Sequence, residues 1–239
     1  MKFIKKILNL IKIKIIKKLY LTRNIDMKKK FTLIYKTNYW SDKDSVSGSG
    51  SSKKNTENII KELSQIIKKY NIKKIFDAPC GDFKWMKKIM NENKHLEYIG
   101  ADIVDELIIN LNKNNKEKNF KFYVCDITKD KFPSSDLFIC RDCFIHFSNE
   151  DIMKTLRNFI FSDIKYILVT DSNVEYNFKN YDIQTGEYRK IDLKKPPFCL
   201  PKNDLYNFND TINLKTNINE NKMTLWSKSQ IKEIYNDSK

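Results

Sequence analysis

Four short stretches hold the residues from which chemistry can be read: Asp77-Ala78-Pro79-Cys80-Gly81, Asp102-Ile103, Asp126-Ile127 and Arg141-Asp142, the last followed one turn later by His146. Asp102 lies 21 residues beyond Gly81, the separation at which a nucleotide-binding βαβ unit places the acid that receives ribose hydroxyls. Asp77, Asp102 and Asp126 suit a nucleoside-like ligand that offers amine and hydroxyl donors, and they repel a dinucleotide's pyrophosphate. Asp142 and His146 form the close acid–histidine pair of the set. An imidazole near neutrality can take a proton from a hydroxyl, with the acid orienting the ring or the substrate. Plainer readings stand beside these. Asp77 and Asp102 can cap the helices that follow them, His146 can be a packed histidine, and Cys80 and Cys125 read as small buried residues. Cys140 and Cys143 have no second Cys or His pair at ligand spacing, so no metal is expected.

The surrounding pattern explains why these residues should converge. Apolar runs over 73–78, 96–103, 120–127, 136–142 and 164–170 read as strands, each acidic stretch falling at the end of one. Helical spacing appears between them: Ile59, Ile60, Leu63, Ile66 and Ile67 within 55–70, then 85–90, then 104–112 with Val104, Leu107, Ile108 and Leu111 aligned. Ser148 with Asp151 three residues on marks the start of a further helix through Ile152, Leu156, Phe159 and Ile160. Strands alternating with helices predict an α/β fold with a doubly wound, mostly parallel sheet, whose ligand sits at the carboxyl ends of the strands. Two more strands, 205–214 and 223–227, add an antiparallel C-terminal edge and bring the sheet to seven strands.

Charge divides the chain. Its 239 residues carry 45 Lys+Arg against 30 Asp+Glu, a net of +15. Residues 1–36 hold twelve basic residues and one acid, so +11 belongs to them and +15 less +11 leaves +4 for the rest. Arginine, the bidentate reader of phosphate and guanine, occurs only at positions 23, 141, 157 and 189, so nucleic acid is disfavoured as a partner. Residues 2–21 fit a basic amphipathic helix, which predicts attachment to an anionic membrane surface, a solvated extension being the alternative. No apolar run reaches the roughly 18 residues of a membrane span. The five cysteines lack a disulfide framework, which points to free thiols in the cytoplasm, with peripheral attachment to the inner membrane face. The expected division is a basic extension over 1–36 and a domain over 37–239, made of a lid and first helix (37–72), a core (73–170), an insertion (171–204) and C-terminal strands with a helix (205–239).

With these motifs in view, the chain resembles the class I S-adenosylmethionine-dependent methyltransferases, in particular a bacterial branch whose first motif reads DAPCGDF-x-W and whose fourth reads CRD-x-x-x-H. The resemblance spans about residues 38–230 and implies the Rossmann-like methyltransferase fold with S-adenosylmethionine as cofactor. It places Asp77, Ala78, Pro79, Cys80 and Gly81 under the methionine part of the cofactor. It puts Asp102 with Ile103 at the ribose, Asp126 with Ile127 at the adenine, and Arg141 in the same binding set. The usual loop reads D-x-G-x-G-x-G, whereas Pro79 and Phe83 occupy the first and third glycine positions here.

Two flanking segments are expected to build the acceptor side. Trp40 and the run Ser47-Gly48-Ser49-Gly50-Ser51 resemble the family's lid stretch, and paired glycines let backbone amides approach an anion. Trp85 and, in the aromatic-rich insertion, Arg189 complete the acceptor candidates; a connection of that length in a domain usually serves function. The Asn/Asp-Pro-Pro-Tyr/Phe signature of amino-group methylation on bases is absent after the fourth strand. The predicted activity is therefore O-methylation of a small polar acceptor, a sugar or lipid-linked glycan component. His146 is the candidate base and Asp142 its partner. The alternatives are a nucleic-acid-binding protein or RNA 2′-hydroxyl methyltransferase using the basic tail, and a non-catalytic scaffold.

Overall fold

Successive residues of the apolar runs go to opposite faces of one sheet, as the twofold repeat of a strand requires. Ile75 packs with the helices of one side and Phe76 with those of the other. The computed structural model describes residues 25–40, 45–211 and 220–236. The strands are β1 (Lys74–Asp77), β2 (Glu97–Asp102), β3 (Phe120–Val124), β4 (Leu137–Cys140), β5 (Tyr166–Ser172), β6 (Tyr206–Asn209) and β7 (Asn221–Ser227), in the order β3-β2-β1-β4-β5-β7-β6. β1 to β5 pair in parallel, and β7 and β6 run antiparallel at one edge. The predicted seven-stranded, doubly wound α/β sheet with an antiparallel edge is the observed one.

The helices are α1 (Met27–Lys36), α2 (Glu57–Lys69), α3 (Lys84–Glu92), α4 (Asp105–Asn114), α5 (Asn149–Phe161) and α6 (Lys228–Asn236). Their buried stripes follow the expected spacing: Ile59, Leu63, Ile66 and Ile67 on α2, Leu107, Ile108 and Leu111 on α4, Ile152, Leu156 and Phe159 on α5. Ser148 caps α5 by accepting from Asp151 N at 3.2 Å. On the opposite face from α2 to α4, Trp226 is fully buried and its indole N–H donates to the Pro201 carbonyl at 2.9 Å.

Several boundaries differ from the expectation. The strand placed over 205–214 is shorter, ending at Asn209. The extension placed over 1–36 also ends too late, because α1 packs on the domain. Asp26 caps α1 by accepting from Lys28 N and Lys29 N, and the helix ties to α4 through Lys28–Asp105 at 2.8 Å and Lys36–Glu106 at 3.6 Å. The amphipathic segment 2–21 lies outside the described residues, as do 41–44 and 212–219. Among the described residues, no helix is long and apolar enough to cross a membrane.

Candidate active site

The chain turns to opposite sides of the sheet at β1 and β4, and a cleft of about 990 Å³ opens beyond their carboxyl ends. Its floor is the β1 loop, with Ala78, Pro79, Cys80 and Gly81 all in the lining. Cys80 N donates to the Ala101 carbonyl at 2.8 Å, pinning the loop to β2. Of the two replaced glycine positions, Pro79 follows a cis peptide bond after Ala78. Phe83 keeps the left-handed backbone that a glycine adopts there, at φ 61°. This costs on the order of 1–2 kcal/mol for a side-chain-bearing residue. Its ring is tilted against Tyr98 at a centroid distance of 4.7 Å and edge-on to Phe120 and Phe122 at 5.2 and 5.0 Å, a burial large enough to outweigh that strain.

Asp102 lies at the end of β2, in the cleft lining and 8% exposed. Its Oδ1 accepts from Val104 N at 3.1 Å, with further backbone donors at Gly81 and Ile103. Burial nevertheless outweighs these bonds and pushes its carboxyl up to about 6. Ile103, Val104, Leu107, Cys125 and Ile127 make an apolar wall beside it. Thiols at positions 80, 125 and 143 also reach the lining, and burial holds all three above the ordinary thiol range. All five cysteines are free.

Two predicted cofactor residues are not in the lining. The Asp77 carboxylate is turned into the sheet, where it accepts from the Tyr98 hydroxyl at 2.7 Å, and burial pushes it up to about 7. Asp126 is turned to its own loop, accepting from Thr128 N at 3.0 Å and Thr128 Oγ1 at 2.6 Å, with Lys129 Nζ at 3.2 Å. The strand end fixes where a residue sits, and the loop that follows decides where its side chain goes.

Arg141 holds the far wall together. Its guanidinium is buried between Trp85, 5.6 Å from the ring centroid, and Asp210, which it grips at two points. The Nη2 that bonds Asp210 also donates to the Gly50 carbonyl at 2.9 Å, and Nη1 lies 3.4 Å from Asp142 Oδ2. The lid loop is thereby anchored to β4. Ser47 Oγ accepts from Asp82 N at 3.1 Å, and Gly81, at φ 53°, has no room for a β-carbon, which would lie 2.4 Å from that Oγ. Gly50 is equally tight, a β-carbon there lying 2.5 Å from Asp142 Oδ2, and Gly48 sits against Trp40. Trp40, Ser47 and Ser51 join the lining.

His146 closes the acceptor end, between Trp40 and Tyr188 at ring distances of 5.4 and 5.8 Å. Its Nδ1 meets the Glu187 carbonyl at 2.7 Å. A carbonyl only accepts, so the proton is on Nδ1 and Nε2 carries the lone pair. Burial lowers the pKa of the ring and keeps it neutral. The ring is therefore held by Glu187; of the two roles expected of Asp142, orienting the ring or the substrate, the first falls to the Glu187 carbonyl. Asp142 sits at φ 51° with its N–H on Thr170 Oγ1 at 2.7 Å. Arg189 is no part of the acceptor surface: it is 1% exposed, and its guanidinium bonds the Phe147 carbonyl and Asn149 Oδ1.

The sequence also missed residues. Met27, Phe31, Ile34 and Tyr35 of α1 roof the cleft, and their spacing behind the Asp26 cap is the signal that marks them. Asp210 carried no local signal.

Residues 75–160 match the family model described as a methyltransferase domain. Among solved structures, the methyltransferase domain of a bacterial Hen1, CtHen1-C, aligns with a TM-score of 0.56 and 14% identity, covering 72% of this chain and 98% of that one. Human N-acetylserotonin methyltransferase, solved in complex with S-adenosylmethionine, aligns at 0.52 with 15% identity over 70% and 51%. The PH0226 protein from Pyrococcus horikoshii OT3 aligns at 0.51 with 14% identity over 75% and 93%. No curated protein matches the sequence. The matched segment and the sheet order give the chain a methyltransferase domain with the Rossmann-like methyltransferase fold. The cleft residues fit S-adenosylmethionine: the Asp102 carboxylate would accept from ribose hydroxyls, and the aliphatic wall at Ile103 and Ile127 suits a purine.

Proposed function

We propose that the protein O-methylates a small polar acceptor, a sugar or lipid-linked glycan component. The observation that carries this reading is His146. It is a neutral imidazole whose Nδ1 proton is engaged by Glu187, leaving a basic Nε2 on a ring that lines the cleft. S-adenosylmethionine supplies the activated methyl group. The chain's own task is to hold an acceptor hydroxyl in line and to take its proton. His146 serves as the base. Asp142, beside it and 27% exposed at its side chain, accepts from a neighbouring hydroxyl of the acceptor. Trp40 and the half-exposed Tyr188 flank the ring and offer aromatic faces for a sugar ring to stack on. Trp85 backs the cleft behind Arg141. Residues 2–21 hold the enzyme to an anionic membrane surface, where lipid-linked acceptors would be met.

The test is transfer of labelled methyl from S-adenosylmethionine to fractionated extract. Label in an oligosaccharide or lipid-linked saccharide fraction, lost in His146→Gln, supports the reading. Label in RNA, or in no fraction, overturns it. Co-sedimentation with anionic vesicles, with and without residues 1–24, tests the attachment; equal binding of both forms would remove that role.

A further inference from the structure

A turn of the insertion, residues 184–187, is tied to the surroundings of His146 by five hydrogen bonds. Gly186 N donates to the His146 carbonyl at 2.7 Å, and the Glu187 carbonyl accepts from His146 Nδ1 at 2.7 Å. Consecutive residues of one turn thus hold both the main chain and the ring of His146. Thr185 Oγ1 accepts from Ser148 N at 2.9 Å and donates to Asp151 at the start of α5. The Thr185 carbonyl accepts from Lys30 Nζ at 2.9 Å. Glu187 Oε2 closes the turn by accepting from Gln184 N at 2.9 Å.

Lys30 is the unusual member. It comes from α1, 155 residues away in sequence, and is 4% exposed. Burying an ammonium group costs free energy unless a specific acceptor offsets it, and here the acceptor is a single main-chain oxygen. Burial lowers the Lys30 pKa, against Glu187 and Asp151, which lie near enough to favour its charge. The Thr185 oxygen belongs to the peptide that leads into Gly186, so the ammonium anchors the turn from which the Glu187 carbonyl reaches the ring.

We propose that Lys30 is a positioning residue for His146, acting through the Thr185–Glu187 turn to hold the imidazole in its Nδ1–H form. The other groups facing the ring are Asp142 from the end of β4, with Arg189 and Tyr188 from the insertion. Asp142 carries no hydrogen bond to the ring among the described residues, so the turn is what selects the tautomer. The consequence for turnover rests on His146 being the base; the tautomer itself does not.

The chain has two histidines, His95 and His146, so nitrogen NMR of the full-length, 15N-histidine-labelled protein resolves the ring, with His95→Gln assigning the signals. The intact protein is expected to show His146 as the Nδ1–H tautomer. Lys30→Met is expected to reduce the tautomer ratio by roughly tenfold, the effect of losing one well-placed hydrogen bond; Lys30→Arg should restore most of it. Thr185→Val loosens the same turn from the α5 side and should move the ratio in the same direction, which keeps the test open if Lys30→Met folds poorly. An unchanged tautomer in folded Lys30→Met, or an Nε2–H ring in the intact protein, would overturn the relay. If the tautomer shifts while kcat stays intact, the relay stands and the assignment of His146 as base falls.

Discussion

Arg141 and Asp210, 69 residues apart, meet in a two-point ion pair, Nε to Oδ1 at 2.9 Å and a terminal nitrogen to Oδ2 at 2.8 Å. Asp210 follows β6 on the antiparallel edge and Arg141 follows β4, so the pair spans β5 and β7. The same guanidinium holds the Gly50 carbonyl. Asp210 thus fixes the lid without touching it.

Asp210→Ala removes the two-point partner of the buried Arg141 cation and leaves it Asp142 at 3.4 Å. Removing one partner of a buried pair costs about 3–5 kcal/mol, and urea denaturation should show that loss. Calorimetry should show weaker binding of S-adenosylmethionine, because the lid loop loses its anchor. Arg141→Lys should fall short in both measurements, since an ammonium group does not reproduce the fork. An Asp210→Ala protein as stable as the parent would mean that the pair does not form in solution.

Asp102 is the proposed ribose acceptor, and its pH dependence follows from its burial. The folded chain raises its carboxyl from 3.8 to about 6. Ribose hydroxyls donate to the ionised form, so cofactor affinity should be flat above pH 6 and fall as pH drops through that value. Asp102→Asn should weaken binding at pH 8 by on the order of tenfold or more, the loss of charge-assisted hydrogen bonds. Titration calorimetry at pH 5, 6, 7 and 8 checks both. Undiminished affinity in Asp102→Asn would remove the ribose role.

The sheet was legible because its signal is local: strand runs, helical stripes and the Ser148 cap each occupy one stretch of sequence. The cleft floor was legible for the same reason, since a loop after β1 must pass the switch point. The directions of side chains were not. Asp77 and Asp126 occupy strand ends as expected, yet Tyr98 and Thr128 draw their carboxylates away from the cleft. The partner that orients His146 was invisible in principle, because a main-chain carbonyl such as that of Glu187 carries no residue type. Asp210 reads as a loop acid until the fold brings it to Arg141. The roof over the cleft was obscured by lysine: the Met27, Phe31 and Ile34 stripe lies within a run whose charge dominates its pattern.

The pH dependence of turnover follows from the neutral imidazole. Burial, the largest influence, lowers the His146 pKa below 6.5, against the opposing effects of Glu187 and Asp142. A general base works when unprotonated, so kcat/KM for an acceptor hydroxyl should lose activity on the acid side with a midpoint below 6.5 and stay level above it. His146→Gln should abolish that limb and lower kcat by roughly 10²–10⁴-fold, the usual contribution of a positioned base. A pH profile unchanged by the substitution would assign the proton transfer elsewhere.

Asp77 offers a test of the fold that needs no ligand. Burial raises its carboxyl from 3.8 to about 7, with the Tyr98 hydroxyl opposing the shift. Between those values the native chain keeps a proton that the unfolded chain has released. The unfolded state then binds fewer protons, and this group makes stability fall as pH rises through the window. Asp77→Asn keeps an acceptor for Tyr98 and cannot ionise. Its Tm relative to the parent should therefore improve from pH 5 to about pH 7 and level off above it, each kcal/mol appearing as roughly 2–4 °C in a domain of this size. A Tm difference independent of pH would show that Asp77 is already ionised at pH 5, with the Tyr98 hydrogen bond prevailing over burial.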